Sequence, residues 1–177
     1  YKYQILSNLN NELASYEINS ENINVILEII EDNIPQKGPF VNWRSIQKFR
    51  KYIQNDPESG TKLLKTLLNE NRDLAERISE VKKTLKQYGE TLGTPLTGYL
   101  LAAFDMNQYT IYKEEFFRGI CIILDLNMPS NRNTGKLYAY YLEVLQEIGE
   151  VITEANIEDG LSILDKQDFL YTIWGYN

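Results

Sequence analysis

"LYAYYLEVLQEIGEVITEA", residues 137–155, is the stretch whose reading decides the fold. Tyr141, Val144, Leu145, Ile148 and Ile152 recur at three- and four-residue intervals, the spacing of one face of an α-helix. Glu143, Glu147, Glu150 and Glu154 fall on the other face. The segment therefore reads as a long amphipathic helix, buried on one side and solvated on the other.

The same period returns along the rest of the chain. Ile5, Leu9 and Leu13 mark a first, Asn-rich helix, and Ile23, Ile26, Leu27 and Ile30 mark a second, with Ser20 as its cap. Asn42 caps a third helix that runs to about Ile53, with Trp43, Ile46, Phe49 and Ile53 facing inward. "TKLLKTLLNEN" (61–71) gives a short helix. A longer one follows, capped by Asn71, with the stripe Leu74, Ile78, Val81, Leu85 and Tyr88 and an Asp73–Arg77 pair at i,i+4. Further helices reach about Phe104 and about Leu126, and a last short one holds Phe169, Ile173 and Trp174. "NIPQKGPF" (33–40) and "NMPSNRNTG" (127–135) read as loops, and "NDPESG" (55–60) breaks the chain between helices. No alternating strand pattern appears, and "YTIY" (109–112) is too short to count as one. The fold class is all-α, a multi-helix bundle. "YGETLGTP" (88–95) is the best boundary, dividing an N-terminal helical lobe (1–90) from an acidic C-terminal lobe (91–177).

Composition agrees and narrows the chemistry. The 177 residues, 43% hydrophobic with only 5 Pro and 10 Gly, can fill a core in one domain or two small ones. Thirteen tyrosines suit half-buried positions, with the ring packed and the hydroxyl wet. There is no histidine, which removes Ser-His and Cys-His pairs, histidine general bases and His-rich zinc sites. Cys121 is the sole cysteine and sits in the apolar run Ile120–Leu124, so it reads as a buried structural thiol. An unpaired cysteine fits a reducing cytoplasm. No apolar run approaches the roughly 20 residues of a membrane span, and no signal peptide is visible. The chain begins at Tyr1, already inside a helical pattern, which points to a piece of a longer protein. The net charge is −7: residues 1–90 hold 13 basic and 13 acidic residues, and residues 91–177 hold 5 and 12. The acidic half is a poor partner for phosphates, so nucleic-acid contact is expected from the first half.

Four segments could carry chemistry. "NTGK" (133–136) has the end of a phosphate loop, but Ser130 replaces its first glycine and Leu137 its magnesium-binding hydroxyl. It reads better as a helix start capped by Thr134. Glu80-Val81-Lys82 has a nuclease spacing but lies on a helical stripe. Asp165 and Asp168, at i,i+3, suit either a shared cation or a helix start, and capping is the simpler role. The best nucleic-acid candidate is "NWRSIQKFRKYI" (42–53), where Arg44, Lys48 and Lys51 share an outward face and Arg50 lies to the side. Lys82, Lys83 and Lys86 form a second basic patch. No catalytic residue, metal site or cofactor is expected.

"LLAAFDMNQYTIYKEEFFRGICIILDLN" (100–127) and "LSILDKQDFLYTIW" (161–174) resemble the helical region that precedes the AAA+ module of McrB-type restriction proteins. The residues carrying the resemblance are Ala102 to Asp105, Tyr109, Ile111 and Tyr112, then Leu164, Asp165, Asp168, Phe169, Leu170 and Trp174. Met106 and Thr110 stand where such relatives often have proline. The resemblance implies a cytoplasmic antiphage protein whose AAA+ motor hydrolyses GTP or ATP and drives a partner nuclease against modified or foreign DNA. This chain would be its non-catalytic helical region, in DNA target recognition or in coupling to the motor. The rival reading is a protein-interaction module, without DNA binding, that docks through the acidic face or through Trp174 and Tyr176. The loop after Asp105 is expected to be a packed corner, with Asp105 capping amides and Tyr109 and Tyr112 pinning the turn.

Overall fold

The computed structural model describes residues 1–34, 40–130, 132–155 and 160–176. Most of the loop read at 33–40, and residue 131 of the loop at 127–135, lie outside them. Among the described residues the chain is all-α, with nine helices and no strand. They are α1 (Lys2–Leu13), α2 (Ile23–Asp32), α3 (Trp43–Asn55), α4 (Pro57–Leu67), α5 (Leu74–Gln87), α6 (Thr94–Phe104), α7 (Glu114–Ile123), α8 (Thr134–Glu154) and α9 (Ile163–Tyr176). None is long and apolar enough to cross a membrane.

Side-chain caps set most helix starts. Asn42 accepts from the Arg44 amide at 2.9 Å, as its sequence position suggests. Asp56 accepts from the Ser59 amide at 3.1 Å, and Pro57 takes the first turn, where a missing N–H costs nothing. "NDPESG" therefore breaks the chain at Asp56, between α3 and α4, and its Pro57–Gly60 part already opens α4. α5 is capped by Asp73, not Asn71, through the Glu76 amide at 2.9 Å. α8 is capped by Asn133, not Thr134, through the Lys136 amide at 3.1 Å. Before α2, Asn19 and not Ser20 accepts the free amides, those of Glu21 and Asn22. α7 stops at Ile123, short of Leu126, because Asp125 takes φ 54° and lets the Leu126 amide reach back to the Cys121 carbonyl at 2.8 Å.

α6 is the central element. Nine of its eleven residues are buried, as expected for a helix apolar all round. α1 and α8 pack on it, and α8 also lies along α5 and against α9. One hydrophobic cluster runs from Leu6 and Leu9 through Ile53, Leu85 and Leu101 to Tyr141 and Leu170, drawing on both halves of the sequence. At Gly135 a Cβ would lie 2.4 Å from the Ala75 carbonyl oxygen. This glycine lets the start of α8 sit directly on α5.

Two inward assignments change. Trp43 is 55% exposed, and Tyr52 takes its place on the buried face of α3. Tyr88 lies exposed at the end of α5, edge-on to Tyr52 at 5.0 Å. On α9 the buried positions are Leu164, Gln167 and Leu170, while Phe169 and Trp174 are exposed.

Candidate nucleic-acid interface and the 105–113 corner

α3 bears four cations and no carboxylate between Trp43 and Asn55. Arg44, Lys48 and Lys51 are exposed, and none forms an ion pair among the described residues. The Arg44 guanidinium sits 5.6 Å from the Trp43 ring, so an exposed aromatic and a cation stand side by side at the start of the helix. Arg50 differs. It bridges α3 to α2 through Glu31 at 2.5 Å and Glu28 at 2.7 Å. The hydrogen bond to Glu31 holds its proton more firmly than usual. A phosphate would have to displace both carboxylates, so Arg50 is a structural link and not a free contact.

The second patch is divided in the same way. Lys82 donates to the Arg132 carbonyl at 2.9 Å and to the Thr134 hydroxyl at 2.8 Å, tying α5 to the start of α8. Lys83 and Lys86 stay exposed beside a shallow concavity of about 440 Å³ that Arg132 and Asn133 also line. Glu80 is engaged by Arg72 at 2.6 Å and Val81 is buried, so Glu80 and Lys82 serve different partners. In "NTGK", Asn133 caps, Thr134 is buried and Gly135 rests on Ala75.

The 105–113 segment is held from every side. Asp105 accepts from the amides of Asn107 at 2.9 Å and Gln108 at 3.2 Å. Asn10 of α1 accepts from the Met106 amide and donates to the Ala102 and Ala103 carbonyls, closing the end of α6. Arg77 of α5 donates to the Tyr109 hydroxyl at 2.5 Å. The Tyr138 hydroxyl donates to the Thr110 carbonyl at 2.7 Å, and the Tyr141 hydroxyl to that of Ile111 at 3.2 Å. Gln167 of α9 is fully buried, takes a hydrogen bond from the Thr110 hydroxyl, and donates to the Ile111 carbonyl and the Tyr141 hydroxyl. Tyr112 is 1% exposed and meets Phe117 and Tyr141 edge-on. The segment is a corner fixed by buried hydrogen bonds, and burial raises the Tyr138 and Tyr141 hydroxyls well above the usual phenol range.

At the start of α9, Asp165 accepts from the Ser162 amide at 2.9 Å while the Ser162 hydroxyl accepts from the Asp165 amide at 3.2 Å, a reciprocal cap. Asp168 instead pairs with Lys2 of α1. The two aspartates thus turn to separate tasks. Cys121 is 4% exposed, and burial pushes its thiol pKa up.

Gln167, Tyr138 and Asn10 were not singled out by sequence reasoning, and Arg77 was read only as a partner of Asp73. Gln167 left a signal, since a lone amide stands between Leu164 and Leu170 on one helical stripe. The fold and these contacts describe an all-α module whose basic helix is open and whose central corner is closed. No family model, curated protein or solved structure matches this chain.

Proposed function

We propose that this chain is a non-catalytic helical module that contacts nucleic acid through α3, within a McrB-like AAA+ restriction protein of the antiphage type. It serves DNA target recognition or couples recognition to the motor. The observation that carries the contact is the acid-free outer face of α3, where Arg44, Lys48 and Lys51 stand without carboxylate partners among the described residues, beside an exposed Trp43. Lysines and an arginine spaced along one helix face match backbone phosphates, and an indole ring adds a stacking surface for an unpaired base. The acidic second half repels the same polymer, which confines contact to this end. The test is fluorescence anisotropy of labelled single- and double-stranded oligonucleotides at low salt. Wild type binds, and the variant with Arg44→Ala, Lys48→Ala and Lys51→Ala loses binding while keeping its helical circular dichroism.

A second reading rests on α8. Glu143, Glu147, Glu150 and Glu154 are all exposed along one face, and Trp174 and Tyr176 leave aromatic surface open at the end of α9. Under this reading the module docks a basic protein surface, such as that of the downstream motor. Capture of the motor by a module with no affinity for either oligonucleotide supports it over the first.

A further inference from the structure

Two helices from different halves of the sequence meet in a basic concavity. On α5, Ser79, Lys82, Lys83 and Lys86 fall at i, i+3, i+4 and i+7, which puts them on one face. α8 packs along α5, and Ser130 and Arg132, just before α8, come to the same face. Together these residues line a concavity of about 440 Å³. Neither half of the sequence shows this patch alone. Residues 91–177 are acidic, yet Arg132, one of their few cations, completes it.

The charge gathered there is uncompensated. No carboxylate lines the concavity, and Lys83, Lys86 and Arg132 form no ion pair among the described residues. The two acids of α5, Glu76 and Glu80, do not line it, and Glu80 is held by Arg72 at 2.6 Å. Lys82 is fixed in place by neutral acceptors, the Arg132 carbonyl at 2.9 Å and the Thr134 hydroxyl at 2.8 Å. Its charge is therefore not cancelled, and one N–H remains. The Ser130 hydroxyl accepts from the Arg132 amide at 3.3 Å and keeps its own proton to donate. Asn133 already caps the Lys136 amide, so the patch is built from side chains and not from an open helix end. Four like charges around one hollow repel one another, and a multivalent anion relieves that repulsion. A phosphate brings several acceptor oxygens at once, which suits both the lysine ammoniums and the arginine fork.

We propose that this concavity is a phosphate-group site, with Lys83, Lys86 and Arg132 as its main contacts and Lys82 and the Ser130 hydroxyl as further donors. Its volume is that of a small-molecule pocket, which favours a free phosphate or diphosphate over a nucleic-acid backbone. The site is separate from the outer face of α3 and does not rest on the nucleic-acid reading.

The probe is inorganic pyrophosphate, titrated by calorimetry at low salt into wild type and into two variants that each lose three positive charges. Saturable binding to wild type is expected. The variant with Lys83→Ala, Lys86→Ala and Arg132→Ala should bind about tenfold more weakly or worse. The α3 variant with Arg44→Ala, Lys48→Ala and Lys51→Ala should bind as wild type does. All six side chains are exposed, so both variants should keep the helical circular dichroism of wild type. A second arm titrates labelled oligonucleotide into the α3 variant. Binding that persists there, and is lost when Lys83, Lys86 and Arg132 are also replaced, assigns the site to backbone phosphates. That result supports this site and counts against α3. If neither probe binds in a way that Lys83, Lys86 and Arg132 control, the inference is overturned. Equal losses of pyrophosphate affinity in the two variants also overturn it, because they report net charge and not a site.

Discussion

The Arg77 guanidinium on α5 lies 2.5 Å from the Tyr109 hydroxyl, and both side chains are buried, so the 105–113 corner is fastened directly to α5. No carboxylate pairs with Arg77 among the described residues, and its Nε and Nη1 find no hydrogen-bond partner. The phenol is the acceptor on which this buried cation depends. Tyr109→Phe should therefore cost about 1–3 kcal/mol in urea unfolding, since it strands the charge. The double variant with Arg77→Met removes the charge as well and should be more stable than Tyr109→Phe alone. A double variant less stable than Tyr109→Phe would contradict the account of this contact.

Gln167 joins α9 to the same corner with three buried hydrogen bonds, to Thr110, Ile111 and Tyr141. Gln167→Leu keeps much of the volume and loses all three, leaving the Ile111 carbonyl and the Thr110 hydroxyl with fewer partners. The expected loss is roughly 2–4 kcal/mol by denaturant titration. Phe169→Ser on the same helix faces solvent and should cost far less.

Two glycines separate rigid from yielding contacts. At Gly135 an added methyl meets the Ala75 backbone, which cannot step aside, so Gly135→Ala should destabilise by about 1–3 kcal/mol. At Gly119 the methyl would meet the Trp174 indole at 2.3 Å, but that ring is exposed near the end of α9 and can swing away. Gly119→Ala should shift Trp174 fluorescence with little change in melting temperature. A large loss of stability there, with unchanged emission, would show that Trp174 is held more firmly than its exposure indicates.

Burial raises the phenol pKa of Tyr99, Tyr112, Tyr138 and Tyr141 above its ordinary value of 10.0. The folded state keeps these protons at a pH where the unfolded chain releases them. Their contribution to stability is therefore full below about pH 10 and falls as pH rises beyond it. Phenolate absorbance from the buried set should rise only together with loss of helical signal. Ionisation of Tyr99, Tyr112, Tyr138 and Tyr141 near pH 10 with the helices intact would contradict this burial.

Much of the fold was legible because helical stripes are periodic. The face of α8 and the cap at Asn42 follow directly from spacing, and so does the corner role of Asp105. Individual orientations were less legible, because periodicity does not reveal which polar residue finds a buried partner. Arg77 was read as an i,i+4 partner of Asp73, yet Asp73 is spent on the cap and Arg77 turns inward to a tyrosine 32 positions away. Trp43 was placed inward by its hydrophobicity, but at the first position of α3 it lies outside the face that Ile46, Phe49 and Tyr52 bury. The cations of α3 were found by spacing. That Arg50 is occupied and the other three are open depends on α2 supplying Glu28 and Glu31, a tertiary contact no local pattern encodes.

The most direct test of the α3 interface is the salt dependence of oligonucleotide binding, wild type against the variant lacking Arg44, Lys48 and Lys51. Three phosphate contacts predict that log affinity falls against log salt with a slope about 2–3 units steeper for wild type than for the variant. Binding that is absent at low salt, or a slope the triple substitution leaves unchanged, would contradict the assignment of α3 as the contacting face.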